Sequence, residues 1–309
     1  MGDPGGIGPE VAVKAALDKR VRAICEPVIV GSRAVFESLG LPLKTIELVE
    51  TPAREFHVGQ IHPEHGVAAL EAARTAIRGA MRGAYAAVVA APHSETAIHA
   101  AGIEFDGYPS FVARTAGLAP DDGILMLCFE HDGREVRIAH VTLHASVRQA
   151  LAMITSERVL RTIQSVHEAL SKMETGKPRI AVGGVNPHAG EGGLFGDEEQ
   201  NAVMPAIEAA RAQGITVDGP IAADLLVQRA GYDAYIVMLH DQGHVAAKLL
   251  APQRAAGLSI GTPVLFSSVA HGAAFDIAGQ DRADPLAMVE AITRLVARRR
   301  RSPPTLIGK

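Results

Sequence analysis

No run of about 18 apolar residues, the length a membrane-spanning helix needs, occurs anywhere in this 309-residue sequence. Cysteine is scarce. Cys25 and Cys128 are the only two, each in an apolar stretch, which points to buried thiols in a reducing cytoplasm rather than to a disulfide or a metal-binding pair. Neither sign of charge dominates: 30 Lys and Arg face 34 Asp and Glu, a net charge of -4. Nothing in that balance calls for nucleic acid or a membrane surface as partner. The local exception, Arg298–Arg301 before Ser302-Pro303-Pro304, reads as the cationic end of a helix followed by a proline stop. No signal peptide is expected, because MGDPGGIGPE reads as a turn leading into a helix. Both common nucleotide fingerprints, GxGxxG and GxxxxGK[ST], are absent from that opening. Its glycines (Gly2, Gly5, Gly6, Gly8) fit a structural turn and an anion-binding loop equally well. No strand precedes them, so the native start is expected slightly upstream.

What is present is ordinary globular material, 48% hydrophobic and 21% charged, long enough for one large or two modest domains. Short apolar runs alternate with longer helical ones, as in α/β layers. Strands are expected at Pro27–Val30, Tyr85–Ala91, Ile124–Phe129, Val136–Val141, Ile180–Gly184, Tyr235–Leu239 and Pro263–Ser267. Helices are expected at Pro9–Lys19, Gly66–Met81, Ser146–Met153, Glu157–Met173, Glu198–Gln213, Ile221–Arg229 and Pro285–Arg300. One discontinuous domain is expected from 1–100 and 245–309, on the cofactor side. A second, for metal, substrate and dimerisation, is expected from 101–244.

Three histidines fall where a strand runs out into a loop: His144 in HVTLHASVR, His188 in GVNPHAGEGG and His240 in MLHDQGH. Parallel strands gather their carboxyl ends on one rim, where ligands bind. Three imidazoles arriving there suggest a divalent metal with positions open to substrate. The pairs His140/His144 and His240/His244 have the i, i+4 spacing of helical chelation. Their context argues against a helix: His140 ends a β-branched strand, and Gly243 interrupts the second pair. One histidine of each pair is therefore expected at the site and the other elsewhere. Asp241 can support His240 from behind or act as a ligand. Lys248, in an apolar stretch eight residues past His240, is a candidate for proton transfer.

The blocks MGDPGGIGPE, VNPHAGEGGLFGDEE, HDQGHVAAK and SSVAHGAAFDIAGQDRAD resemble the 4-hydroxythreonine-4-phosphate dehydrogenase family through nearly the whole chain. The resemblance implies a two-domain α/β fold similar to isocitrate and isopropylmalate dehydrogenases, with α/β/α layers and an interdomain cleft. It also implies a homodimer whose metal site is shared between subunits. His144, His188 and His240 fall on the family's metal positions and Lys248 on its substrate lysine. NAD or NADP would lie along Leu258–Ala278, giving Ser259, Gly261, Ser268, His271, Gly272 and Asp276 as cofactor-binding candidates. The ion, by its imidazole ligands, would be zinc, iron, nickel or cobalt.

The departures bear on substrate. Tyr108-Pro109 replaces the family's His-Thr pair for a phosphosubstrate, Gly257 its substrate asparagine and Phe266 its substrate arginine. A phosphate would lose hydrogen bonds worth roughly 1.5–3 kcal/mol each. HSETAIHAAGIEFDGYPS, IAHVTLHASVRQAL, MLHDQGHVAAKLLAP and LSIGTPVLFSSVAHGAAFDIAG look instead like the family's terephthalate cis-dihydrodiol dehydrogenase branch. That branch oxidises and decarboxylates a cyclic dihydrodiol dicarboxylate. Tyr108 and Phe266 would suit its ring, while Arg148 or one of Ser94, Ser110 and Ser268 would hold a carboxylate.

Overall fold

A computed structural model describes residues 1–53, 55–173, 176–251, 255–269 and 271–296. The basic run Arg298–Arg301 and the end of the expected Pro285–Arg300 helix lie outside the described residues. The chain forms two compact units. The described residues of Met1–Leu118 and Thr262–Lys309 make one, and Ala119–Gly261 makes the other. Two stretches group differently from the boundaries expected of the sequence. Tyr108–Thr115 is a helix packed on the helix Pro63–Met81, so it belongs to the first unit. The helix His240–Leu250 packs on neighbours of the second unit and stays whole within it.

The strands are β1 (Val28–Gly31), β2 (Glu47–Glu50), β3 (Val88–Ala90), β4 (Ile124–His131), β5 (Arg134–His140), β6 (Arg179–Gly183), β7 (Thr216–Ile221), β8 (Ala234–Val237), β9 (Ala256–Ile260) and β10 (Phe266–Val269). In the first unit β1 pairs with β2 and β3 with β10, all parallel. The long helix Pro63–Met81 buries an alanine-rich face (Ala68, Ala69, Ala72, Ala73, Ala76) with Leu70 and Ile77. It begins where Pro63 pre-sets φ at the first helical position and His62 Nδ1 accepts the Glu64 N–H (3.3 Å).

The second unit is built on strands in the order β9-β4-β5-β8-β6-β7. β4 runs antiparallel to both β5 and β9, whereas β5, β8, β6 and β7 are mutually parallel. One face packs Leu127, Phe129, Val136, Ile138, Tyr235 and Val237 with Ala247 and Ala251 from the His240–Leu250 helix and the residue after it. The helix Ser156–Met173 packs on β5, β8 and β9. Its Val159, Ile163, Val166 and Leu170 are fully buried, the spacing of one helical face. With strands covered on both sides, β6 and β8 read as continuous apolar runs rather than alternating ones.

Cys128 is buried and Cys25 half-buried, and neither forms a disulfide. Among the described residues no helix is long and apolar enough to cross a membrane. The opening glycines are structural: a Cβ on Gly6 would sit 2.5 Å from the Ala273 carbonyl oxygen, and one on Gly2 2.3 Å from that of Pro92. Asp3 closes the turn by accepting the Gly5 N–H at 2.8 Å.

Candidate metal and substrate site

The three histidine loops leave neighbouring strands. β5, β8 and β6 are adjacent and parallel, in registers that align His140 with Val237 and Val182 with Ile236. Their carboxyl ends therefore share one rim, and the loops bearing His144, His240 and His188 begin there. β9 also ends at this rim, because Ile260 pairs with Ile124 at the start of β4. Ser259, buried, and Gly261, at φ 79°, lie on that end.

The His188 loop is held in a conformation that L-residues avoid. His188, Ala189 and Glu191 have φ of 55°, 53° and 43°, with Gly190 and Gly192 also left-handed. Each non-glycine residue there costs about 1–2 kcal/mol, so surrounding contacts must fix it. The buried Glu199 does so. Its carboxylate accepts the N–H of Val185 (2.7 Å) and of Asn186 (2.8 Å) and the Asn186 side-chain amide (2.9 Å). The same amide donates to Glu198 at 2.6 Å and holds that carboxyl below its ordinary range. The result presents His188 exposed at the rim.

His240 is the first residue of its helix, and Asp241 Oδ1 lies 2.7 Å from its Nδ1. A proton held on Nδ1 by that carboxylate leaves Nε2 as the ligand atom. The same contact holds the exposed Asp241 carboxyl below its usual range. Gln242 fixes the corner: its Oε1 accepts the N–H of Met238 (2.9 Å) and Leu239 (3.0 Å), and its Nε2 donates to the Gly184 carbonyl (3.1 Å). The His240 turn is thereby tied to the foot of the His188 loop.

His240 and His244 do share a helix, contrary to the expectation from Gly243. Gly243 is there for close approach: a Cβ would lie 2.3 Å from His140 Nε2. All four histidines of the two pairs gather, where one of each had been expected elsewhere. Ring centroids are 4.9 Å apart for His140 and His244, 3.8 Å for His244 and His240 (stacked), and 5.8 Å for His240 and His144. Burial, with the charges of neighbouring imidazoles, pushes His140 down to about 3 and His244 to about 4. Both are therefore neutral near pH 7. His144, His188 and His240 do not close into one group. Among the described residues, the one set of three or more possible ligands converging within 4.8 Å is Glu55, His57 and His62 in the first unit. The donor chemistry of the three rim imidazoles nonetheless fits a divalent ion of the zinc class.

Lys248 is exposed, near the end of the helix that His240 begins. Arg148 is exposed in the first turn of the helix Val147–Met153, just past the His144 loop. Tyr108 and Phe266, expected to face a substrate ring, are instead core residues. Phe266 is fully buried, its ring 4.8 Å from that of Tyr108, and burial pushes the Tyr108 phenol up. An aromatic side chain at a strand start gains more from the apolar core than from a polar rim. The Ser110 hydroxyl is taken up by Asp106 and the Gly107 carbonyl, and the Ser94 hydroxyl accepts the Ala97 N–H at 3.1 Å as a helix cap. Ser268 is half-buried in β10, paired in register with Ala90. His271 is half-buried, while Gly272 and Asp276 are exposed in the turns that follow.

Sequence reasoning missed Glu199 and Gln242. For Glu199 a signal existed, since Ala202 and Val203, three and four residues on, place it on a buried face where a carboxylate needs donors.

An α/β fold that gathers histidine-bearing loops at the carboxyl ends of its parallel strands has its ligand site at that rim. Residues 12–295 match the family of pyridoxal phosphate biosynthetic protein PdxA, and the chain belongs to that family of dehydrogenases. It is 41% identical over 307 residues, 96% of each sequence, to the 1,2-dihydroxy-3,5-cyclohexadiene-1,4-dicarboxylate dehydrogenase of a Comamonas species. The crystal structure of a terephthalate 1,2-cis-dihydrodiol dehydrogenase from Burkholderia xenovorans is similar at 39% identity and a TM-score of 0.72, covering 96% of both chains. That of 4-hydroxythreonine-4-phosphate dehydrogenase from Klebsiella pneumoniae aligns at 31% identity and a TM-score of 0.82, again over 96% of both. A β-decarboxylating dehydrogenase from Thermococcus kodakarensis shares the fold at 18% identity and a TM-score of 0.52.

Proposed function

We propose that this protein is an NAD(P)-linked, metal-dependent dehydrogenase that oxidises and decarboxylates a cyclic cis-dihydrodiol dicarboxylate. The reaction is 1,2-dihydroxy-3,5-cyclohexadiene-1,4-dicarboxylate plus NAD(P)+ giving protocatechuate, CO2 and NAD(P)H. The observation that carries this reading is the shared rim of β5, β8 and β6, with its three histidine loops, in a chain 41% identical to a dehydrogenase of that substrate. His144, His188 and His240 would hold the divalent ion, with Asp241 orienting the His240 ring. Held by those histidines, a divalent ion would supply polarisation of the substrate hydroxyl and stabilisation of the negative charge left by CO2 loss, and a bound nicotinamide would supply the hydride acceptor. Lys248 takes the role of proton carrier. Arg148 is the best-placed partner for a substrate carboxylate, being exposed beside the His144 loop. Tyr108 and Phe266 act through packing, leaving the position of a family arginine apolar. Ser259, Gly261, Ser268, His271, Gly272 and Asp276 remain the proposed dinucleotide contacts.

The protein is proposed to work as a homodimer in which a second copy completes the ion site. That accounts for three rim histidines whose ligand atoms do not converge within one chain. It also gives a use to the exposed Leu194, Val245 and Leu249, at 71%, 54% and 75% exposure. The test is a parallel assay of the purified protein with NAD+ against the dihydrodiol and against 4-hydroxythreonine 4-phosphate. NADH and CO2 are expected from the first alone. Turnover of the phosphorylated amino alcohol in its place would transfer the assignment to that substrate.

A further inference from the structure

The loop before the Pro63–Met81 helix carries Glu55, His57 and His62, one possible ligand atom from each lying within 4.8 Å of the other two. The two rings stand edge to face, centroids 5.3 Å apart. None of these residues belongs to the rim described above; they are in the first unit, in EFHVGQIHPEHG.

The backbone holds them in place. The His57 N–H donates to Nε2 of His65 at 3.0 Å, and His65 is fully buried on the first turns of the helix. Because His65 Nε2 accepts, the ring carries a proton on Nδ1, which faces the buried Asp3 carboxylate at 3.3 Å. Two residues on, the Gly59 N–H donates to the Gly5 carbonyl at 2.8 Å, and the Gln60 N–H returns to His57 O at 3.3 Å. His62 is fixed as the residue before Pro63 and as the helix cap. The segment is thus pinned by the helix that follows and the turn that opens the chain. Its own side chains are left outward: Glu55 and His57 are exposed and His62 is half-buried.

We infer that Glu55, His57 and His62 form a second site for a divalent ion of the zinc class, separate from the rim histidines. Two imidazoles and one carboxylate are donors that favour zinc, cobalt or nickel over magnesium or calcium. Ligands on a tetrahedral zinc stand roughly 3.4 Å apart, given metal–nitrogen distances of about 2.0–2.1 Å. From within 4.8 Å the ligand atoms have at most about 1.4 Å to close, and water fills the fourth position. Two of the three ligands are already in solvent, so binding costs little desolvation. With His62 Nδ1 taken by the Glu64 N–H, Nε2 carries the ring proton and is the nitrogen left for the ion. Ligation there returns the ring proton to Nδ1 and gives up the cap, leaving the ion to brace the helix start.

The test uses the full-length protein stripped of metal and titrated with Zn2+ alone, counting zinc per chain, with Co2+ as a visible-spectrum reporter. The variant is His57→Asn with His62→Asn. Asn at position 62 still caps the helix, and the His57–His65 bond uses a backbone N–H, so folding is preserved. The double variant is expected to bind one zinc fewer per chain, with dihydrodiol turnover unchanged. Glu55→Gln is expected to weaken that zinc at least tenfold. The difference of one zinc should persist in a His188→Ala background, whatever His188 itself contributes. Equal zinc counts and identical Co2+ spectra for wild type and double variant would overturn the site.

Discussion

Glu199 anchors the His188 loop, because one carboxylate satisfies three donors beneath its left-handed residues. Glu199→Gln keeps the size and loses the charge. Since hydrogen bonds to charged groups contribute roughly 1.5–3 kcal/mol each, a loss of about 2–4 kcal/mol is expected. Urea unfolding measures that loss, and turnover should fall at least tenfold as His188 leaves its position. His140 sets a pH dependence. Its ring is neutral in the folded chain down to about 3 because it is buried, whereas the unfolded chain protonates near 6.5. The unfolded state therefore binds more protons between those values, and stability falls as pH drops from about 6.5 towards 3. The ceiling is on the order of 5 kcal/mol at 1.36 kcal/mol per unit. In the metal-free protein, His140→Gln is expected to flatten the fall, read as melting temperature against pH.

Among the elements, those with strong periodicity were legible and those with mixed signals were not. The helix Ser156–Met173 shows its face in Val159, Ile163, Val166 and Leu170, and the structure has it one residue earlier than expected. Leu170→Ala should cost about 2–5 kcal/mol by the usual cost of a buried cavity, seen as a lower midpoint in denaturant. β7 was not legible, because Gly219 and Pro220 argue against a strand. Pro220 is tolerated since β7 lies at the end of the strand order, where one side needs no ladder donors. The expected helix from Ile221 to Arg229 shrinks to Ala223–Leu226 for the same reason: Ile221 is spent in β7. β9 was hidden by AAGLSIG, small residues without alternation, and is a strand because β4 supplies its ladder. The rim histidines were legible because each follows an apolar strand. Glu199 and Gln242 act through backbone groups that only the folded corner brings near.

At the scale of the molecule, composition excluded a membrane-spanning helix, and motif blocks carried the family. The placement of Tyr108 and Phe266 was beyond both, since an aromatic at a rim and one in a core read alike in sequence. Assembly is the proposal that reaches furthest. Val245 and Leu249 lie one turn apart on the exposed face of the helix that His240 begins. An apolar pair left in water there is expected to be covered by a second copy. Light scattering should give twice the 32.4 kDa of one chain, and Leu249→Glu should return the single-chain mass and abolish turnover together.

Whether the strand-end histidines hold the ion used in catalysis is tested most directly by measuring bound zinc and dihydrodiol-dependent NADH formation in the same preparations of wild type and His188→Ala. The prediction is the loss of the rim ion, and at least a thousandfold loss of turnover, with the Glu55–His57–His62 ion retained. Full turnover by a His188→Ala protein lacking the rim ion would contradict it.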